Sequence, residues 1–311
     1  CRVNTRKTQP TMKKSLLILA SIAIGILFPH GHPYAFLIRY FLMIMLFFVF
    51  LNINIHRRII QKLHLKILLA NILIPVLIYF CLQFFNETVA IATFVIALAP
   101  TAVAAPIIAQ LLNAKVEIVA TSTLVTSAGM ALVIPFLLPF IIKIEGTIDT
   151  LSVFIPIVVV VFVPLILAQI VKKTMPKVQQ FLSQKKDIPL YLFLLNVYLA
   201  MAKSTNFIKT SEQMQTDTIF WIAMATGVLC ILNFQIGERI VSKELKYEGG
   251  LALGRKNTMF ILWLALTFVS PIAALSPIFY ILWQNLYNSF QLWQKGRRET
   301  VNGGRLTGTN N

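Results

Sequence analysis

Acidic side chains are scarce in this sequence. It has 11 Asp+Glu against 28 Lys+Arg, and only 13% of its 311 residues are charged. No Asp-x-x-Asp pair, His-Glu-x-x-His or Gly-x-Ser-x-Gly motif occurs, so the usual hydrolytic and metal-assisted chemistries have no carrier. Cysteine is equally sparse. Cys1, Cys81 and Cys230 lie far apart, the last two inside apolar runs, which excludes a disulfide framework and zinc-type spacing. The four histidines, His30, His32, His56 and His64, fall near predicted helix ends. His30-Gly31-His32 offers two ligands on a short loop, too few for a metal site by itself. No enzyme, metal or cofactor is therefore expected.

Hydrocarbon is what the chain has in abundance. It is 57% hydrophobic with a mean hydropathy of +0.77, which fits a multi-pass membrane protein and no soluble class. In a soluble protein a net charge of +17 would point to nucleic acid. Here the basic residues stand between apolar runs, where they set topology. The bilayer is the expected partner, and nucleic acid is not.

Apolar runs predict ten helices, over about 16–28, 34–53, 65–84, 89–112, 116–142, 151–171, 188–202, 218–235, 249–268 and 271–293. Residues 1–14 form a basic segment with Arg2, Arg6, Lys7, Lys13 and Lys14. Met12-Lys13-Lys14 before an apolar run reads as a natural start, with 1–11 as an upstream extension. The 16–28 run has the length of a signal-peptide core, but 29–36 offers no cleavage site, so it is read as a short first helix. Residues 294–311 are polar and are expected to be a disordered tail.

The basic residues alternate between the connections. Arg57, Arg58, Lys62 and Lys66 follow the second predicted helix, Lys172, Lys173, Lys177, Lys185 and Lys186 the sixth, and Arg239, Lys243 and Lys246 the eighth. The opposite loops hold only Lys143 and Lys209. This asymmetry places both termini in the cytoplasm of a bacterial-type inner membrane. Ten helices divide into five plus five, and an odd number per half requires the second half to be inverted.

The ninth predicted helix organises this reading. Residues 259–268 are a nearly apolar run of about ten residues, whereas a membrane-spanning helix needs about 20. The segment spans only if Gly254-Arg255-Lys256-Asn257 is included, which puts charge at depth, and such charge marks a functional site by default. Its counterpart in the first half is the fourth predicted helix, interrupted by Pro100 and Pro106. Paired interruptions at matching positions point to a transporter's binding site, because broken helices expose backbone groups and helix ends at mid-membrane. The two helices are expected to cross near Pro106 and Lys256.

These features together resemble the bile acid:sodium symporter family over nearly the whole chain. The resemblance rests on the ten-helix pattern, Pro75, the run from Pro100 to Pro106, Thr121-Ser122-Thr123 and Gly254-Arg255-Lys256-Asn257. It implies a transporter domain over 15–293. The third to fifth and eighth to tenth helices would form a core, and the first, second, sixth and seventh a panel. A small organic anion would bind between core and panel, with Asn257, Thr101, Ala102 and Arg255 at the substrate site. The family also implies two sodium ions behind the crossing, and here the sequence departs from the pattern. Ala252 stands at the family's glutamate, Lys256 at its glutamine, Ala105 and Pro106 at a Ser-Asn pair, and Val119 at a serine. Thr123 is kept, and Asn71 replaces a glutamine. A hard cation wants several oxygen ligands, which this set does not supply. Lys256, with Asn71 and Thr123, is read either as a fixed substitute for sodium or as a proton-coupled group; a lysine snorkelling into a cytoplasmic cavity is the plain alternative. Ordinary sodium coupling and a non-transporting sensor or scaffold also remain open.

Overall fold

A computed structural model describes residues 9–52, 61–142, 150–185, 187–210 and 216–307. All named elements among them are helical. They are α1 (Gln9–Leu27), a 3-10 segment (Pro29–Phe36), α2 (Leu37–Asn52), α3 (Lys62–Leu82), α4 (Glu87–Ala97), α5 (Ala105–Leu111), α6 (Val116–Ile141), α7 (Thr150–Thr174) and α8 (Pro176–Gln184). There follow α9 (Ile188–Thr210), α10 (Thr216–Arg239), α11 (Lys246–Gly254), α12 (Thr258–Phe268) and α13 (Leu275–Thr307), with a short 3-10 turn at Lys243–Leu245. Every predicted helix falls on a helix or a pair of helices.

Six described stretches are long and apolar enough to cross a membrane: Pro29–Leu51, Lys62–Leu82, Val116–Ile141, Leu151–Thr174, Ile188–Thr210 and Asp217–Arg239. Large apolar side chains stay on the outside, as in the α3 row Leu65, Leu69, Leu73 and Leu77, one turn apart and all exposed. In water such a surface would aggregate. The chain is an all-α, multi-pass membrane protein.

Local signals explain the helix starts. Gln61 and His64 form a capping box at α3, and Asn86 Oδ1 accepts from Val89 N at 3.1 Å to start α4. Pro75, Pro135, Pro139, Pro156 and Pro164 all lie inside continuous helices, so proline alone does not break a helix here.

The helices pack in two sets. In one, α3 packs on α4 and α6, α10 on α11 and α13, α5 on α6, and α12 on α13. In the other, α2 packs on α7 and α9, and α1 on α9. The sets meet through α6 with α7, and through α12 and α13 with α9.

α10 and α11 approach each other closely at two glycines. A Cβ on Gly249 would lie 2.2 Å from the Gly237 carbonyl oxygen, and one on Gly237 would lie 2.3 Å from the Gly249 oxygen. Only hydrogen fits at either position. Gly249→Ala is expected to force α10 and α11 apart and cost at least 1–3 kcal/mol, the scale of about one overpacking event. Thermal unfolding in detergent would show it as a fall in Tm, and an unchanged Tm would contradict the contact.

Three expectations need correcting. The tail predicted as disordered from residue 294 continues α13 as far as Thr307. Lys295, Arg297, Arg298 and Glu299 are good helix formers, and extending a formed helix adds one bond per ordered residue. Residues 308–311, the segment 1–8, and Arg57, Arg58, Lys143 and Lys186 lie outside the described residues. The ninth predicted helix starts earlier, at Lys246. An unpredicted helix, α8, follows α7 with no buried residue; Met175, Val178 and Phe181 are exposed beside it or on it. Lys185 Nζ lies 5.0 Å above the Phe181 ring, an arrangement suited to a membrane interface.

Candidate functional site at the crossing of two broken helices

Both interruptions expected from the sequence are breaks. The chain leaves helix after Ala97 and resumes at Ala105, and again leaves it after Gly254 and resumes at Thr258. The two breaks meet. Thr101 and Lys256 pair as an isolated antiparallel bridge, with Ala102 N donating to Arg255 O at 2.7 Å and Asn257 N to Pro100 O at 2.8 Å. The arrangement is reciprocal: in each strand the residue after the paired one donates to the residue before its partner. The crossing therefore lies at Thr101, not at Pro106. Pro106 sits in the first turn of α5, where a missing N–H costs nothing.

Each broken end leaves carbonyls to satisfy. Tyr280 on α13 donates its hydroxyl to Gly254 O at 2.8 Å and accepts from Asn233 Nδ2 at 3.2 Å. Thr101 Oγ1 donates to Ala252 O, and Thr101 N donates to Thr126 Oγ1 at 3.0 Å. Thr123 Oγ1 lies 3.3 Å from Ala102 O and 3.0 Å from Val119 O, tying α6 to the first break. Asn257 caps α12 by accepting from Phe260 N at 3.3 Å. Gly254 ends α11 against an aromatic wall: a Cβ there would lie 2.3 Å from the Phe234 ring.

Lys256 is fully buried, at 1% exposure. Its ammonium donates to Asn71 Oδ1 on α3 and, at 3.1 Å, to the carbonyl of Ala97, the last residue of α4. A cation thus sits at the negative end of a helix dipole, on a carbonyl freed by the break. Its backbone N donates to Gln284 Oε1 at 3.1 Å. Asn71 is anchored in turn by Nδ2 to Ile67 O at 3.1 Å. Lys256 is therefore held from α3, α4 and α13, which rules out the snorkelling geometry.

Arg255 is buried too, but much less well satisfied. Nη2 donates to Asn285 Oδ1 at 3.3 Å, while Nε and Nη1 are buried without a hydrogen-bond partner among the described residues. Side chains alternate along an extended segment, so Arg255 and Asn257 lie on one side of the break and Lys256 on the other. The recorded contacts of both cations are to neutral oxygens.

The expected site residues Asn71, Thr101, Ala102, Thr123, Arg255, Lys256 and Asn257 thus come together at one place. Two differ from expectation in detail: the Thr101 hydroxyl is committed to Ala252 O, and the Asn257 side-chain oxygen to the α12 cap. Three of the positions where the resemblance would put sodium ligands, Ala252, Ala105 and Val119, are fully buried hydrocarbon. With an ammonium beside them, this set does not fit a hard cation. Tyr280, Gln284, Asn285 and Thr126 were not foreseen as part of the site. Their signal was present in the sequence as polar residues one turn apart inside otherwise apolar helices. The carboxylate that α11 itself carries acts elsewhere: buried Glu248 accepts from Lys115 N at 2.7 Å and so caps α6. A groove of about 530 Å³ between α6 and α7, lined by Leu124, Leu165, Ile166 and Gln169 among others, shares no residue with the crossing. No family model matches the chain, and no curated protein matches it.

Proposed function

We propose that this protein is a secondary transporter of a small organic anion, built on the ten-helix inverted repeat of the bile acid:sodium symporters, with Lys256 in place of the coupling cations. The observation that carries this reading is the pair of buried cations at the crossing. One is bound by the scaffold and the other has donors to spare.

The packing supports an inverted repeat. α3, α4–α5 and α6 correspond to α10, α11–α12 and α13, and each contact in the first trio has a counterpart in the second. The α2–α7 contact likewise corresponds to α9–α1, and the reciprocal bonds at the Thr101–Lys256 bridge lie where a pseudo-twofold axis would pass. α1, α2, α7 and α9 would form the panel and the remainder the core. The basic connections orient the chain with both termini in the cytoplasm of a bacterial-type inner membrane.

In this reading the chemistry is electrostatic. A buried charge with neutral partners is expensive, and an anion beside it recovers much of that cost. Arg255 offers unspent N–H groups, and a guanidinium matches a carboxylate or sulfonate edge with two parallel bonds. The start of α12 adds partial positive charge next to it. Lys256 holds the two broken helices together in every state, so no separate ion has to bind before the anion. Movement of the panel against the core would then expose the anion to one side of the membrane and next to the other.

The test is thermal stabilisation of the purified protein by a panel of small carboxylates and sulfonates, with uncharged amides of the same shape as controls. Stabilisation by at least one anion and by none of the amides is expected. Equal effects of anion and amide would count against the site.

A further inference from the structure

The inner face of α13 is unusually polar for a helix in this bundle. Tyr280, Gln284, Asn288 and Gln291 recur every three or four residues, which puts them on one stripe. All are at most 4% exposed. Tyr280 and Gln284 bond to the crossing, at Gly254 O and Lys256 N. Asn288 Nδ2 continues the line to Gln284 O at 2.6 Å, and Gln291 Nε2 donates to Glu238 Oε1 on α10 at 3.0 Å. The stripe thus runs from the helix crossing to the end of α10 that carries Arg239.

Two acceptors along it are unsatisfied. Asn288 Oδ1 and Gln291 Oε1 are buried and have no hydrogen-bond partner among the described residues. Turning either amide around would set its oxygen against another acceptor, Gln284 O or Glu238 Oε1, and lose the bond its nitrogen makes. An orphaned polar atom in a dry interior is costly, and two successive ones are not kept without a partner. The smallest group that satisfies an acceptor in a narrow, polar, helix-lined space is water.

The corresponding helix of the other half sharpens the point. Beyond its own crossing contacts, α6 buries one unpaired hydroxyl, Ser127 Oγ, and then only hydrocarbon at Met130, Ile134 and Leu138. One half of the core is sealed with hydrocarbon where the other is lined with amides. The asymmetry gives the track a direction, toward the side bearing Arg239, Lys243 and Lys246.

We infer that water fills the seam between α10 and α13 and connects the buried helix crossing to that one side of the membrane. This does not depend on an anion being the cargo: the seam lies on the α10 side of α13 and is defined by its own unpaired amides. Its consequence is that the hydration of the crossing is one-sided, so small aqueous solutes and protons reach it from the basic-loop side alone.

The test uses full-length protein in which Cys1, Cys81 and Cys230 are replaced by serine. Single cysteines are placed at Asn288, Gln291, Ile134 and Lys243, and the protein in liposomes is treated with a small, charged thiol reagent. Asn288→Cys and Gln291→Cys are expected to react at least tenfold faster than Ile134→Cys, with Lys243→Cys as the exposed reference. Slow reaction at both amide positions, with Lys243→Cys fully labelled, would overturn the inference. Should the α13 variants fail to fold, hydroxyl-radical footprinting of the unaltered protein decides the matter. Phe234 is fully buried and stacks on Tyr287 with ring centroids 4.1 Å apart, next to the stripe. It should be oxidised well above the equally buried Phe94, and equal protection of both would mean a dry seam.

Discussion

Replacing Arg255 by methionine is expected to abolish anion-induced stabilisation while leaving the unliganded protein as stable as the wild type or more so. The guanidinium carries charge into the core, has one bond to Asn285, and leaves two nitrogens unpaired. Removing an under-satisfied buried charge while keeping its volume is commonly neutral or stabilising, by about 1–4 kcal/mol. A purely structural arginine would behave in the opposite way, and its loss would lower Tm. Arg255→Lys keeps the charge but loses the planar fork, so it should bind the anion about 10- to 100-fold more weakly, on the scale of about 1.5–3 kcal/mol for a bond to a charged group. Titrating an anion found in the screen against the three proteins, with Tm as the readout, checks both statements. Unchanged affinity in Arg255→Met would remove Arg255 from the site.

Lys256→Ala is expected to have the opposite stability effect. Its ammonium bonds Asn71 Oδ1 and Ala97 O, and its removal strands both acceptors in a closed interior. Two bonds to a charged donor are together worth about 3–6 kcal/mol, before any cavity cost. In a bundle of this size that lowers the apparent Tm by roughly 5–10 °C. Asn71→Leu should do part of the same damage, and the double variant should fall short of the sum, because both substitutions break one bond. Full additivity would mean that the Lys256–Asn71 bond does not contribute to stability.

Much of this was legible in the sequence because membrane helices announce themselves by length and composition. The breaks were legible for a related reason. Gly254 to Asn257 left only about ten apolar residues on one side, too few to span a bilayer, so the polar residues had to lie at depth. Pro100 and Pro106 were less informative, since five other prolines sit inside unbroken helices. What fixes the break at Thr101 is its partner: the pairing with Lys256 takes up backbone groups that a continuous helix would have bonded internally. A local sequence cannot show that, because the partner is 155 residues away, from Thr101 to Lys256.

The side-chain ties were less legible for the same reason. Tyr280 and Gln284 stand out as polar residues of the last predicted helix, but nothing local shows that their partners are Gly254 O and Lys256 N. Nothing local shows that Glu248 caps α6, because its partner Lys115 N is 133 residues away. Conversely, Ala252 stands where the resemblance implies a glutamate, so a bound cation would lack that ligand, and another positive group is needed at the freed Ala97 carbonyl. The lysine four positions on supplied the answer.

The central claim is that Lys256 does the work of a coupling cation, and sodium dependence tests it most directly. An anion that stabilises the purified protein would be titrated in sodium and in choline buffers, for the wild type and for Lys256→Ala. The account predicts equal affinities in the two buffers for the wild type, and loss of binding in the variant that neither buffer restores. Wild-type binding that requires sodium would contradict it, and would return the protein to the ordinary sodium-coupled scheme.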